Sequence, residues 1–325
     1  MMRMLALALY VLALIAPQAV AQESSYPDRP VRLVVTAGPG GNPDVVARLL
    51  AQKLQEVFGK AFVVENMPGA GGLLAAKSVA AASADGHVLL LGDSSAMAIN
   101  VALNPDAGLN PLKDLAMITA LATVPTVLVI HPEVQAKTLD EFVALARKEP
   151  GKMSFGSAGY GSIHHLTMAM FAEQAGIDLL HVPYRGGTAL VNGLLTGEIQ
   201  AAWSGFPNVM PLIEAGKLRA LCTSVSKRPP SLPNVPTCAE LGISGFDVAT
   251  MMGLSGPASM PPAVLARLQA AVAKALREPD IANRMLSLGI DMQEGGTAHF
   301  RQFMKDDLVR YADAVKRLNL NASKP

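Results

Sequence analysis

The sequence predicts an α/β protein of two lobes, each a mostly parallel sheet flanked by helices. Short β-branched apolar runs alternate with glycine- or serine-rich turns that open helices, which is βαβ patterning. The alternation breaks off and restarts after residues 123–130 (Thr-Val-Pro-Thr-Val-Leu-Val-Ile), and the chain is long enough for two cores.

The elements follow in order. Residues 31–35 (Val-Arg-Leu-Val-Val) read as the first strand, entering the loop Gly38-Pro39-Gly40-Gly41-Asn42-Pro43-Asp44 and a helix over 45–58. Asn42 is expected as the N-cap, Pro43 at the first helical position and Asp44 against the positive helix end. Residues 61–65 form a second strand, followed by Pro68-Gly69-Ala70-Gly71-Gly72 and a small-residue helix over 73–82. Residues 88–92 form a third, ending in the polar turn Asp93-Ser94-Ser95.

After the restart, Thr138-Leu139-Asp140-Glu141 is a capping box opening a helix to about residue 148. Residues 153–156 lead into a second glycine loop, Gly156-Ser157-Ala158-Gly159-Tyr160-Gly161-Ser162, with Ser162 capping a helix to Ala175. A strand over 179–182 runs into Pro183-Tyr184-Arg185-Gly186-Gly187-Thr188, then a helix over 189–195 and strands over 199–203 and 218–225. A strand-like run at 252–254 precedes helices over 262–277, 281–288 and 299–318. Each of these three is polar on one face and cannot form a core alone, so they are expected to return to the first sheet and make the first domain discontinuous.

The N-terminus has the layout of a secretory signal: Arg3, an apolar run over residues 5–15, and the small-x-small site Ala19-Val20-Ala21. Cleavage after Ala21 is expected, because the apolar run is shorter than the ~20 residues that span a bilayer. Removing Arg3 takes the formal charge from +1 to zero, which leaves no electrostatic case for nucleic acid or an anionic membrane as partner. Cys222 and Cys238 are the only two cysteines. In an oxidising compartment they read as a disulfide pinning the proline-rich segment between them, with two buried unpaired thiols as the other reading.

Signals for catalysis are weak. Gly69-Ala70-Gly71-Gly72 follows a strand as a dinucleotide loop should, but Leu74 stands where the third glycine belongs. Ser224-Val225-Ser226-Lys227 matches S-x-x-K without its companion motifs. His164 and His165 are adjacent, so on a helix they point ~100° apart and do not share a metal. The glycine loops carry a more specific message. Each opens a helix with bare backbone N–H groups at its positive end, a cradle for a small anion. One such loop is explained by turn geometry alone. Here Gly40, Gly41, Asn42 and Asp44, the pair Ser94 and Ser95, and Ser157 through Ser162 all fall at the carboxyl ends of strands, where open α/β sheets bind ligands. An exported chain with one such cradle in each half reads as a receptor that closes on a small carboxylate. Tyr184 is expected to line the cleft. Arg185 has two readings, ligand clamp or surface charge, and Trp203 is core or cleft wall.

These residues resemble the extracytoplasmic solute receptors of the tripartite tricarboxylate transporter family, of the Bordetella uptake type. The resemblance runs over nearly the whole mature chain. It rests on Tyr26-Pro27-Asp28-Arg29-Pro30, Pro39 through Arg48, Val64-Glu65-Asn66-Met67-Pro68-Gly69-Ala70-Gly71-Gly72, Ser157 through Ser162 with His165, His181-Val182-Pro183-Tyr184-Arg185-Gly186, Ala215-Gly216-Lys217-Leu218-Arg219-Ala220-Leu221, and Leu232-Pro233-Asn234-Val235-Pro236-Thr237. It implies a type II-like, two-lobed periplasmic binding fold with a two-strand hinge, near residues 127–130 and 251–254. The lobes would be residues 22–127 plus 251–325, and residues 128–250.

The resemblance further implies no catalysis, metal or cofactor. Partners would be an organic acid and the membrane permease subunits, with the receptor itself a monomer. Its ligand would be held by the turns at Gly40, Gly41, Asn42 and Asp44, at Ser94 and Ser95, and at Ser157, Ala158, Gly159, Tyr160, Gly161 and Ser162, with His165, Tyr184, Arg185 and Ser204 beside them. The chain departs from relatives at Thr36-Ala37-Gly38, where a proline and an aromatic are common, which should open the pocket. Trp203-Ser204-Gly205-Phe206-Pro207 replaces a stretch often holding an acidic residue and an asparagine, and His164 stands where relatives carry a small or polar residue. Two other functions fit the same sequence: a ligand sensor for a signalling partner, and a periplasmic hydrolase acting through Ser157.

Overall fold

Three parallel strands with near-continuous apolar sequence set the frame of the first half. The computed structural model describes residues 26–229, 232–243, 246–293 and 295–320, without the side chains of residues 95 and 96, so the expected signal peptide lies outside the described residues. Strand β1 (Val31–Val35) is followed by helix α1 (Asn42–Phe58), β2 (Phe62–Asn66), α2 (Leu73–Ala80), β3 (Val88–Asp93) and α3 (Ser94–Leu103). β1 pairs in parallel with both β2 and β3, and Leu33, Val34 and Val35 are fully buried, as expected of a strand covered on both faces. A short α4 (Pro111–Asp114) leads to the 16-residue β4 (Leu115–Ile130).

The second half holds α5 (Leu139–Lys148), β5 (Ser154–Ser157), α6 (Ile163–Ala175), β6 (Leu180–Pro183), α7 (Gly187–Leu195), β7 (Ala201–Gly205), α8 (Phe206–Glu214) and β8 (Arg219–Thr223). The chain then returns through β9 (Ala249–Pro257), α9 (Pro262–Leu276), α10 (Pro279–Ser287), β10 (Asp291–Met292) and α11 (Gly296–Arg317).

The strands form one curled path, β2-β1-β3-β9-β4-β7-β5-β6, with β10 and β8 also on β4. Each half keeps a parallel trio, β2-β1-β3 and β6-β5-β7. Antiparallel β9 and β4 are added between them, so the sheet as a whole is mixed. β4 serves both halves: up to Pro125 it pairs with β9, and from Thr126 it pairs with β7 and β8. Register shifts between Met117 and Thr119, and between Ala120 and Ala122, let so long a strand curl. At the crossover the Ser224 hydroxyl donates to the Val248 carbonyl and accepts from the Thr126 amide and hydroxyl. That employment disposes of the S-x-x-K match.

Both faces of each half are covered. On one face of the first, Leu33 and Leu89 meet Leu50 of α1 and Leu268 of α9. On the other, Val34 and Leu90 meet Val79 of α2 and Phe300 of α11. In the second half Trp203 packs with Phe142 and Phe171, and Val127 and Ala202 pack with Leu190 and Phe206. α11 belongs to both halves, since Phe300 and Met304 lie in the first core while Tyr311 and Val315 lie in the second.

Two helices escape a reading by periodicity. α3 is apolar nearly all round, because it is wedged between the cores, with Met97 in one and Ile99 in the other. α8 carries Pro207 and Pro211, which the sequence offers as breakers. The N-cap of α1 is Gly41, not Asn42, which frees the Asn42 side chain. The Thr138–Glu141 capping box and the Ser162 cap form as read.

Cys222 and Cys238, 16 positions apart in sequence, are joined by a disulfide with Cα atoms 5.4 Å apart. A loop of that size stabilises by about 3 kcal/mol through the unfolded chain. Reduction, or Cys222→Ser with Cys238→Ser, should therefore lower the melting temperature by several degrees; an unchanged melting curve would show the bridge to be energetically idle.

Candidate functional site

Helix starts, rather than basic side chains, build the cleft between the halves. It measures about 200 Å³ and is lined by residues from four helix N-termini: Gly41, Asn42 and Pro43 of α1, Ile163 and His164 of α6, Gly187 of α7, and Gly205 and Asn208 of α8. Thr36, Ala37, Gly71 and Asp93 line the first-half side, and Val124, Thr250 and Met252 form the floor where the strands cross. Each helix end carries about half a positive charge and up to four N–H groups without an acceptor inside the helix. At α1, α7 and α8 the caps are Gly41, Gly186 and Gly205, which have no side chain to occupy those amides. At α6, Ser162 Oγ takes only the His165 N–H (3.3 Å), leaving those of Ile163 and His164 at the cleft. Among the described residues no lysine or arginine is in the lining.

Two glycines allow the close approach of the walls. A Cβ on Gly205 would stand 2.7 Å from Asn42 Nδ2, so the Asn42 amide lies directly on the start of α8. A Cβ on Gly161 (φ +73°) would stand 2.5 Å from Leu103, where the second glycine loop rides on α3. A wider groove of about 600 Å³ beside Lys77, Lys113 and Pro257 shares no lining residue with this cleft.

The sequence-predicted residues divide by position within their turns. Gly41 and Asn42 line the cleft. Gly40 is exposed, and its N–H donates to Asp44 Oδ2 (2.9 Å). The Asp44 carboxylate faces away from the cavity and is spoken for. Burial would raise its pKa, but bonds from Arg48, the Gly40 amide and Asn66 hold it below its ordinary value. Ser94 is fully buried and donates to Asp307 Oδ2 (3.2 Å). The Ser95 side chain is outside the described residues.

In the second loop, Ser157 Oγ lies 2.7 Å from His181 Nε2 and donates to the Gly159 carbonyl (3.0 Å). That is a nucleophile-to-base distance, but Ser157 has no exposed surface to present to a substrate. Ala158, Gly159 and Tyr160 are half-buried and Gly161 is buried; none of them, nor Ser162, is in the cavity lining.

His165 stacks on His181 at 4.2 Å and beneath Tyr160 at 4.6 Å, and its Nδ1 accepts from the Gly161 N–H (3.3 Å). It braces the loop from behind. Tyr184 packs over Gly193 on the far side of β5, not in the cleft; burial and then Glu198 push its hydroxyl pKa up to about 12. Arg185 is exposed outside the lining. Ser204 is buried under α8, its hydroxyl without a hydrogen-bond partner among the described residues. Trp203 is core. Sequence reasoning missed Ile163, Gly187 and Asn208; the strand-Gly-x-Pro-Asn signature of a helix start was the available signal for Asn208. It shows that the 203–208 stretch does bring an asparagine to the cleft, and Asp93 brings a carboxylate.

Burial pushes the His165 pKa down to about 4, helped by the charge of His181, and burial alone lowers His181. Both are below the ordinary 6.5, so the unfolded chain takes up protons first as pH falls. Stability should be flat above pH 6.5 and decline from there towards about pH 4. For His165 the loss is on the order of 3 kcal/mol. Melting curves across that range should show it, and His165→Gln should flatten the slope; a parallel slope in the variant would assign it to other groups.

Two sheet halves joined by crossing strands, with helix starts facing a shared cleft, define a solute-binding protein of the periplasmic type. Residues 46–320 match the model of the tripartite tricarboxylate transporter family receptors, and the chain belongs to that family. BugT of Bordetella pertussis is 33% identical over 293 residues, covering 90% of this chain and 90% of BugT. The structure of the periplasmic binding protein BugD has a TM-score of 0.84 at 30% identity, covering 91% of this chain and 99% of BugD. MatC from Rhodopseudomonas palustris with bound malate has a TM-score of 0.83 at 31% identity, covering 89% and 100%. The family and these neighbours are solute-binding proteins, not enzymes. Among the described residues no group of three or more His, Cys, Asp or Glu is placed to hold a metal, and no helix is long and apolar enough to cross a membrane.

Proposed function

We propose that the protein, cleaved after Ala21 and released into the periplasm, closes around a small organic carboxylate and delivers it to the permease of a tripartite tricarboxylate-type transporter. The observation that carries this reading is the convergence of four helix N-termini on a cleft with no basic side chain in its lining among the described residues. Such a site holds an anion through backbone amides and neutral donors such as Asn42 and Asn208. The ligand-binding set is then the helix starts at Gly41 and Asn42, Ile163 and His164, Gly187, and Gly205 and Asn208, with the second loop from Ser157 to Ser162 held in place by His165 and His181.

The lobes would be residues 22–127 with 251–325, and residues 128–250, bending where β4 changes partners at Pro125 and Thr126 and where the chain returns near Ser224 and Val248. α11, which packs on both cores, would limit the swing. Malate in MatC is a ligand of the expected class.

The test is thermal shift of residues 22–325, unfolded and refolded to strip any carried ligand, against mono-, di- and tricarboxylates, amino acids and aromatic acids. A carboxylate at 100 times its Kd adds about 2.7 kcal/mol and should raise the melting temperature by several degrees. No shift from any carboxylate would overturn the reading.

A further inference from the structure

One glycine of the cleft is required neither by its own backbone nor by its own half of the molecule. Gly205 ends β7 and caps α8 with φ −65° and ψ 143°, a conformation open to any residue. A Cβ there would meet Asn42 Nδ2 at 2.7 Å and Val124 at 3.3 Å, both from the first half. At Gly161, which approaches Leu103, φ is +73° and calls for glycine in any case. Gly187 would keep ordinary contact with Asn208, 3.6 Å away in its own half. The space left empty at Gly205 is therefore the space that the Asn42 amide enters. Asn42 and Gly205 both line the cavity, and Asn42 is half-buried rather than sealed from it. The start of α8 is also short of donors, because Pro207 in its first turn has no N–H.

We infer that Asn42 supplies, from the first half, a hydrogen-bond donor to the anion site at the start of α8 in the second, and that Gly205 is its positioning residue. This rests on the carboxylate-receptor reading above and deepens it. The N–H groups of Phe206 and Asn208 are fixed by α8 itself, whereas the Asn42 amide travels with α1. A carboxylate held by both is bonded to the two halves at once, and opening of the cleft breaks the second bond. A methyl group at position 205 fills the amide's place. The flexible end of Asn42 then turns aside at little cost to the fold, and the ligand loses its donor.

The experiment is calorimetric titration of the refolded protein, of Asn42→Ala, of Gly205→Ala and of the double variant with acetate, pyruvate, malate, succinate and citrate. For each acid that binds, either single change should weaken affinity by about 10-fold, as loss of one hydrogen bond to a charged group does. The double variant should be within about threefold of either single one, because both changes remove the same bond. A merely structural role for Gly205 would act independently of Asn42, and the two losses would multiply to about 100-fold. That outcome would overturn the inference, as would affinity within about threefold of the unaltered protein in Gly205→Ala or in Asn42→Ala. A second measurement needs no variant. The side-chain amide resonance of Asn42 in the unaltered protein should move on titration with the same acid, and an unmoved resonance would by itself overturn the inference. If none of the acids binds, the carboxylate reading and this inference fall together; binding without coupling between the two positions removes this inference alone.

Discussion

Asn208→Asp should abolish carboxylate binding while leaving the unliganded protein as stable as before, or slightly more so. Asn208 is in the first turn of α8, capped at Gly205, and its Nδ2 lies 3.6 Å from where a Cβ on Gly187 would stand, so it sits between two helix starts. An aspartate has the same shape and is favoured in a first turn, where it interacts with the helix dipole by about 0.3–1 kcal/mol. The folded protein therefore has no reason to suffer. A bound carboxylate does. At a separation of ~5 Å and an effective dielectric of ~20, two unit negative charges repel by about 3 kcal/mol. Among the described residues no lysine or arginine in the lining offsets this. Affinity should fall by about 100-fold or more, and the ligand-induced rise in melting temperature should vanish. Asn208→Ala, which removes the amide without adding charge, should cost far less. Affinity within about threefold of the unaltered protein in Asn208→Asp would place the ligand's charge away from α7 and α8.

Of the turn residues named from sequence, Gly41 and Asn42 line the cavity, whereas those of the second loop, Ser157 to Ser162, lie just before the residues that do. Glycine and serine announce a helix start because they cap it or bend into it, so the eye rests on Gly40, Ser157, Ser162 and Arg185. The residues that face the cleft come just after the cap, where the chain has turned: Asn42 after Gly41, Ile163 and His164 after Ser162, Gly187 after Gly186, Asn208 after Gly205. Local sequence also does not reveal which polar groups are consumed by the structure itself. Asp44 looks like a helix-end acid open to a ligand, yet Arg48, one turn along α1, and Asn66, at the end of β2, close it off. The parallel trios were legible because each strand is followed at once by its own helix. The antiparallel β9 and the double-length β4 were not, since their pairing depends on residues more than a hundred positions apart. α3 was hidden by the very burial that makes it important.

Asp307→Ala should be the most destabilising single change near the cleft that touches no ligand. Asp307 lies midway along α11, between the Phe300–Met304 turn in the first core and the Tyr311–Val315 turn in the second. It has no exposed surface, accepts from Ser94 Oγ at 3.2 Å, and is paired with Arg310 at 3.2 Å. Removing the carboxylate strands the buried Ser94 hydroxyl, while Arg310, whose side chain is 36% exposed, is left to water, so the cost should be about 2–3 kcal/mol. Ser94→Ala should cost less, about 1–2 kcal/mol, because the carboxylate keeps its other partner. The double variant should fall short of the sum of the two, since both remove the same contact.

The same pair of variants decides what Ser94 is for. A serine whose hydroxyl held the ligand would lose affinity on truncation and keep its melting temperature. Here the hydroxyl is turned inward to α11, so Ser94→Ala should lower the melting temperature and leave the Kd within about threefold. A large loss of affinity at unchanged stability would mean that Ser94 exchanges Asp307 for the ligand when the cleft is filled.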